Sequence, residues 1–313
     1  NGTGKPMNIS QLEALLGEPV VRTGNLFGFF TVDTPCARWL FKPIASRSQS
    51  LWWSRADREI RAQGFQSMPH FFVFEREWVV MHYIPGRTAD YGNLRDLDHC
   101  VRLLAQFHHS ARWIVGDIHH RPVMATLPDR LNRRYEQFMK VHVDLAHVLQ
   151  SDSAAKEFAR LGERALKAID ETEIDSLTQV DLSEYAVAHR DMASHNFVVA
   201  GNGRPWLIDF ETTCYDLQIG DLWQLAGRAL VEWHWKPEIY ERILRNYEAI
   251  RPLKVEEHRL LKRLFLFPND FYREAVGVMK ASRGYKARKV LPYLQMIVRD
   301  RKRWLKFLER IEG

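Results

Sequence analysis

The chain is short of cysteine, of long apolar runs and of a regular glycine-rich phosphate loop, and each shortage excludes a class of protein. Its three cysteines, Cys36, Cys100 and Cys214, are odd in number and far apart, with no CxxC pair. That spacing argues against a disulfide framework or a cysteine zinc site and predicts a reducing, cytoplasmic setting. No stretch approaches the ~18 consecutive apolar residues of a membrane span, so no membrane partner is expected. The opening Asn1-Gly2-Thr3-Gly4-Lys5-Pro6 lacks the apolar middle of a signal peptide, and residues 1–6 read as a tag remnant or frayed end. Gly2-Thr3-Gly4-Lys5 also lacks the GxxxxGK[ST] spacing and follows no strand, which removes a Walker-type phosphate loop.

What is present is ordinary globular material, 46% hydrophobic and 27% charged over 313 residues. This excludes a disordered, collagen-like or coiled-coil chain. The length exceeds one module of ~150 residues and predicts two domains or two lobes around a cleft. The net charge of +6 is local. Eleven basic against two acidic residues between Lys280 and Arg310 make that segment +9 and leave the remainder at −3. The basic segment reads as a solvated face of an amphipathic helix and not as a nucleic-acid surface.

A short helix is expected from Ser10, the capping residue with Glu13 three positions on, to Leu16. Val20–Thr23 and Phe27–Val32 read as strands around a Gly24-Asn25 turn, with a third from Ala37 to Ile44. A helix over Leu51–Gln63 and strands at Phe71–Phe74 and Trp78–Tyr83 complete a small antiparallel unit, and Pro85-Gly86 punctuates its end. From Leu94 the period turns helical. Helices are expected near 130–149 and 154–169, then from Leu222, Glu238 and Val255, before the basic amphipathic end. One β island interrupts them: Tyr185–Ala188, Phe197–Ala200 and Pro205–Ile208, with a hairpin turn at Gly201-Asn202-Gly203.

That island holds the most specific string of the chain, His189-Arg190-Asp191-Met192-Ala193-Ser194-His195-Asn196, followed by the hairpin and Ile208-Asp209-Phe210. Phosphoryl transfer needs a carboxylate that orients or deprotonates the acceptor hydroxyl, and oxygen ligands that hold Mg²⁺ against the phosphates. HxD-x₄-N, a hairpin and an apolar-Asp-aromatic triplet supply them. Asp191 is the candidate base, with Asn196 and Asp209 as candidate metal ligands. The competing reading makes all three turn and cap residues of an unrelated hairpin.

The string resembles the catalytic segment of the protein-kinase-like fold, in the branch of aminoglycoside phosphotransferases, choline and homoserine kinases and bacterial spore-coat (CotS-type) kinase-like proteins. Leu104-Ala105-Gln106-Phe107-His108 and Asp209-Phe210-Glu211, in place of Asp-Phe-Gly, carry the resemblance further. Tyr215-Asp216-Leu217-Gln218-Ile219-Gly220-Asp221-Leu222 is closest to the spore-coat type. The likeness implies an α+β, two-lobed fold: a small antiparallel-sheet lobe over residues 1–84 that binds nucleotide, and a mainly helical catalytic and substrate lobe over 85–313. It implies an enzyme that uses ATP and Mg²⁺ to phosphorylate a hydroxyl of a small molecule or protein, with a non-catalytic spore-coat scaffold as the alternative and a spore-coat location possible in that case. Oligomeric state is left open.

By the same resemblance, Lys42 would touch the α- and β-phosphates, paired with Glu59 or Asp57 on the following helix. The backbone of Met81-His82-Tyr83-Ile84 would meet the adenine, so Met81 and Tyr83 are nucleotide candidates. The sequence departs from the pattern at Gly24-Asn25-Leu26-Phe27-Gly28, which has two glycines and no GxGxxG. His189 would be structural, and Asp221 would cap the helix from Leu222 and bond back to the loop. The pairs His108-His109 and His119-His120 point about 100° apart on a helix and have no i,i+4 ligand partner, so packing or surface roles are expected. The +9 end favours an anionic or neutral acceptor, a sugar, polyol or protein hydroxyl, over a polycationic aminoglycoside.

Overall fold

The computed structural model describes residues 8–75, 77–149, 151–282 and 284–312; the tag-remnant reading of residues 1–6 lies outside them. Helix α1 (Ile9–Leu16) is capped by Asn8 and not by Ser10. Asn8 Oδ1 accepts from the Gln11 N–H while Gln11 Oε1 accepts from the Asn8 N–H, and Gly17 at φ +70° ends it. Glu13 instead accepts the N–H of Val20 at 2.9 Å, tying the helix to the first strand.

Strands β1 (Arg22–Leu26) and β2 (Phe29–Asp33) pair with Leu26 opposite Phe29. The turn is therefore Phe27-Gly28, both at positive φ (53° and 84°), as a tight two-residue hairpin requires. The expected Gly24-Asn25 turn lies inside β1, because the glycine that decides the turn is the one that meets the αL requirement. β3 (Arg38–Pro43), β4 (Phe71–Phe74) and β5 (Trp78–His82) complete an antiparallel sheet ordered β1-β2-β3-β5-β4. Its inward alternation buries Val32, Phe41 and Val80 against Leu12 of α1 in one small apolar cluster.

Helix α2 (Arg47–Ala62) starts one turn before the expected Leu51, because Ser46 caps it. Its buried face, Trp52, Trp53, Ala56 and Ile60, belongs to the large core of the molecule, with Leu97, Val101, Leu104 and Phe107 of α3 (Leu94–Ser110). This helix links the sheet to the helical body. A strand absent from the expectations, β6 (Gly86–Thr88), forms where Pro85-Gly86 was read as punctuation. It pairs with β8 (Phe197–Ala200), which pairs with β9 (Pro205–Leu207), while β7 (Val187–Ala188) pairs with β10 (Cys214–Tyr215). Among the described residues no ladder joins these short sheets to the five-stranded one.

The remainder is helical: α4 (Leu127–Met139), α5 (His142–Leu149), α6 (Asp152–Asp170), α7 (Ile174–Ser183), α8 (Ile219–Glu232), α9 (Pro237–Glu248), α10 (Val255–Leu264), α11 (Asn269–Met279) and α12 (Ala287–Glu312). The fold is α+β with a small antiparallel lobe and a larger helical one, as the catalytic string implied. Aromatic stacking closes the helical core. Phe158 of α6 lies 3.9 Å from Phe271 of α11, and Phe138 of α4 lies 4.1 Å from Tyr272 (ring centroids). Among the described residues no helix is long and apolar enough to cross a membrane.

Gly86 is required by close approach. A Cβ there would stand 2.4 Å from the Val199 carbonyl oxygen and 2.7 Å from Val198 Cγ1 on β8. Gly86→Ala should therefore part β6 from β8 and destabilise by about 1–3 kcal/mol, read as a lower urea midpoint. An unchanged midpoint would contradict this packing.

Candidate active site

The loop after β7 is organised from behind by one carboxylate. Asp221, in the first turn of α8 and only 1% exposed, accepts the N–H of His189 at 2.6 Å, the N–H of Arg190 at 2.8 Å and a bond from His108 Nε2 at 3.1 Å. The expected bond back to the loop is present, but Asp221 is not the cap of α8. That helix begins at Ile219, and Asp221 sits within it. Burial opposes ionisation of Asp221, yet the bonds from His108 and the backbone outweigh it and hold its carboxyl below the usual range. His108 is fully buried, and burial pulls its pKa down. Its Nδ1 takes the Tyr247 hydroxyl at 2.7 Å, so a neutral ring bridges α3, α8 and α9.

Arg190 follows at φ +74°, a costly conformation for a side-chain-bearing residue. Two sets of bonds hold it there. Its N–H is on Asp221, and its guanidinium reaches the Ala125 carbonyl at 2.8 Å and the buried Asp216 at 3.4 Å. Asp216 is fully buried and also accepts from the N–H of Leu127 and from Arg130. It supports the loop from beneath and does not face a cleft. His189 is likewise structural. Its Nε2 donates to the Ile208 carbonyl at 2.9 Å, which leaves Nδ1 as an acceptor toward the Asp191 N–H.

These constraints present Asp191 to solvent, its side chain 40% exposed and 3.5 Å from Arg228 Nη2. Asn196 is buried beside it, its Nδ2 donating to the Asp191 carbonyl at 3.0 Å. Across the β8–β9 hairpin the Asn196 carbonyl accepts from Ile208, so Asp209 is the next residue on the facing strand. Asp209 turns sharply, at φ +65°, and Phe210 packs flat on Trp53 of α2 at 4.5 Å. The three residues of the motif are thus gathered at one end of one hairpin. Asn196 offers its amide oxygen, the other end being spent on Asp191, and Asp209 offers a carboxylate. Two hard oxygen donors suit Mg²⁺ completed by phosphate and water oxygens. Among the described residues no group of three His, Cys, Asp or Glu side chains could hold a metal.

Asp209 opens onto a cleft of about 650 Å³ between the five-stranded sheet and α2, whose lining includes Lys42, Met81, Phe71, Val79, Trp53 and Glu211. Lys42 pairs across it with Glu211 at 3.3 Å. Glu59 is not its partner. Gln49, Ser50 and Trp53 of α2, with its capping Ser46, face the cleft. Glu59 lies six residues beyond Trp53, about 240° round the helix at 100° per residue. It accepts the N–H groups of Val115 and Gly116 at 2.8 and 3.1 Å. Asp57 is buried on Arg61 at 3.0 Å. Tyr83 is not among the residues that line the cleft, and its N–H donates to the Arg38 carbonyl at 2.8 Å.

A model of the phosphotransferase enzyme family matches residues 52–259, more than half of the chain and all of this loop and hairpin. The chain belongs to that family. Solved structures agree in fold. An aminoglycoside phosphotransferase from Alicyclobacillus acidocaldarius subsp. acidocaldarius DSM 446 superposes with a TM-score of 0.78 at 16% identity, over 100% of this chain and 98% of that one. A spectinomycin phosphotransferase in complex with ADP and spectinomycin gives 0.56 at 13%, over 97% and 99%. A choline kinase from Cryptosporidium parvum Iowa II gives 0.55 at 13%, over 97% and 90%. At such identities the likeness concerns the fold alone. No spore-coat protein is among these structures, and the resemblance to that type stays with the sequence.

Within this phosphotransferase the residues that sequence reasoning missed are arginines. Arg130 and Arg134 of α4, Arg228 of α8 and Arg273 of α11 converge with Arg190 beside Asp191. Their helices are far apart in the chain, and no motif links them. Among the described residues of the +9 segment, Lys289 of α12 is the basic residue that borders the second, larger chamber next to Asp191.

Asp221→Asn should preserve shape but place an amide N–H₂ where a carboxylate oxygen accepts. Removing one partner of a buried charge network costs about 3–5 kcal/mol, visible in urea denaturation. A loss under 1 kcal/mol would show that the loop is held by other contacts.

Proposed function

We propose that this member of the family is an ATP- and Mg²⁺-dependent phosphotransferase acting on a hydroxyl of a small molecule, with Asp191 facing the acceptor and Asp209 facing the nucleotide. The observation that carries this reading is the placement of Asp191, Asn196 and Asp209 at one end of the β8–β9 hairpin, between the cleft at Lys42 and the chambers at Arg228. Lys42, with Met81 on the same cleft, binds the nucleotide. Glu211 holds Lys42 in the absence of ligand, and the phosphates displace it, since a surface carboxylate on a lysine is worth ~1 kcal/mol or less. Asn196 and Asp209 would hold Mg²⁺, which shields the phosphate charge. The acceptor proton passes to Asp191 as the acceptor oxygen bonds to the γ-phosphorus and the bond to the β–γ bridging oxygen breaks, releasing ADP. The reading includes a lobe boundary between residues 84 and 85, between the five-stranded sheet and β6.

Asp191→Asn should lower turnover ~10²–10⁴-fold, the usual worth of a general base, while Mg·ATP still raises the melting temperature as in the wild type. Asp209→Ala should abolish that thermal shift. Wild-type turnover in Asp191→Asn would reject the assignment of the base. No shift of the wild-type protein by Mg·ATP would favour the scaffold reading.

Lys42→Ala and Glu59→Gln separate the two halves of the expected ion pair. Lys42→Ala should weaken nucleotide binding at least tenfold in calorimetry. Glu59→Gln should leave it unchanged, because Glu59 binds backbone N–H groups 56 and 57 residues away in sequence. Equal losses in both variants would restore the Lys42–Glu59 pair.

A further inference from the structure

One of the two chambers beside Asp191, of about 670 Å³, is walled by Arg130, Arg134, Arg190, Arg228 and Arg273. Asp191 is the one carboxylate among its lining residues, and the chamber shares no lining residue with the cleft at Lys42. Carboxylates behind the wall account for three of the arginines. Asp216 takes Arg130 at 2.7 Å and Arg190 at 3.4 Å, while Glu274 and Asp270 take Arg273 at 2.8 and 3.5 Å. No carboxylate behind the wall lies within ion-pair distance of Arg134 or Arg228 among the described residues: Asp270 attracts Arg134 only from farther off, and Arg228 pairs with Asp191 of the chamber itself. Among the described residues Arg134 hydrogen-bonds the amide oxygen of Asn269 at 2.8 Å, and burial, then Arg273, pull its pKa down to about 10 against the weaker attraction of Asp270. Arg228 stands 3.5 Å from Asp191, and its buried Nε and Nη1 have no hydrogen-bond partner among the described residues; nor has Arg130 Nε.

Guanidinium donors left without a hydrogen-bond partner at a buried site cost stability unless something else meets them. Planar guanidinium forks match oxyanions, to which they donate two parallel bonds. A cationic acceptor entering this chamber would meet five guanidinium groups against the single carboxylate of Asp191. The larger chamber beside Asp191, about 1590 Å³, shares Asp191, Arg228 and Arg273 with the first and mixes four carboxylates, Asp90, Asp191, Glu232 and Glu274, with three cations, Arg228, Arg273 and Lys289, so its charge is near balance.

We propose that the acceptor is a hydroxyl compound carrying an oxyanion, a phosphate ester or a carboxylate, which Arg134 and Arg228 hold in the arginine chamber while its hydroxyl meets Asp191. The inference rests on the reading of Asp191 as the acceptor-facing residue. It also moves the source of acceptor selection from the basic carboxy-terminal helix to α4, α8 and α11.

The test is calorimetric titration of the full chain, saturated with Mg·ADP so that the nucleotide cleft is filled, with four probes: glycerol 3-phosphate, glycerate, glycerol and choline. Glycerol 3-phosphate and glycerate report phosphate and carboxylate recognition separately, and at least one should bind ten times more tightly than glycerol or choline. Arg134→Gln and Arg228→Gln should each weaken that binding about 10- to 100-fold, the loss of a hydrogen bond to a charged group. Asp191→Asn should bind the anion as tightly as the wild type or more tightly, because it removes a facing negative charge. Should one arginine variant fail to fold, the other variant and the wild-type salt dependence carry the test, with affinity expected to fall as ionic strength rises. Choline or glycerol binding as tightly as the anions, undiminished anion binding in the arginine variants, or no anion binding at millimolar concentration would each overturn the proposal. Mg·ADP binding is read independently. If it fails while the arginine-dependent anion binding holds, the phosphotransferase reading falls and the chamber stands.

Discussion

The buried carboxylate of Asp221 is the constraint on which the site depends. Two backbone N–H groups of the loop, His189 and Arg190, end on it within 2.8 Å, and a neutral His108 ties it to α3. A strand that ended at Ala188 without this anchor would leave the next N–H groups to water and the loop to many conformations. With the anchor, Arg190 is driven into the left-handed region and Asp191 emerges at one defined place. The same interaction joins helices from distant parts of the chain, since His108 also takes the Tyr247 hydroxyl.

A second buried carboxylate repeats the device one layer below. Asp216 accepts the Leu127 N–H at the start of α4 and receives Arg130 and Arg190. Loop and helix are thereby fixed relative to each other, and the arginine wall is built as a by-product of that bracing. Burying such ion pairs is expensive, and hydrophobic residues would be at least as stabilising. Their value here is directional: each carboxylate accepts several bonds at set angles and so specifies a single arrangement around Asp191. The large aromatic core of α4, α6 and α11 supplies the stability that pays for this polar layer.

The nucleotide side of the molecule follows a different logic. Lys42 alternates along β3 with buried Phe41, so the sheet register decides that it faces the cleft, and Glu211 after the hairpin supplies its counter-charge. The partner expected on α2 failed for a geometric reason. Helical phase places Gln49 and Trp53 toward the cleft and turns Glu59 to the opposite side, where it caps the free N–H groups of Val115 and Gly116. Nothing in a run of sixteen helical residues marks which face meets a cleft until the helix is docked. Tyr83, just past β5, has its N–H engaged in extending the β3–β5 pairing.

By itself the sequence determined the α+β character, the order of most strands and helices, and the catalytic string with its hairpin. Those are local properties: two-residue and 3.6-residue periodicity, turn glycines, and functional groups held within twenty-one residues of one another. It erred where a boundary hung on one capping or αL residue, as at Asn8, Ser46 and Phe27-Gly28, it ran α4 and α5 together, and it missed α7, α11, β10 and β6, the last a strand of three residues that forms only against β8. Only the tertiary structure decided that α2 packs into the helical body, that Glu59 leaves Lys42 to Glu211, and that five arginines from four separate segments enclose one side of Asp191. The physical reason is common to all three. Such contacts join residues tens to well over a hundred positions apart, and their geometry exists only once buried faces have docked and each helix has been fixed in rotation about its own axis.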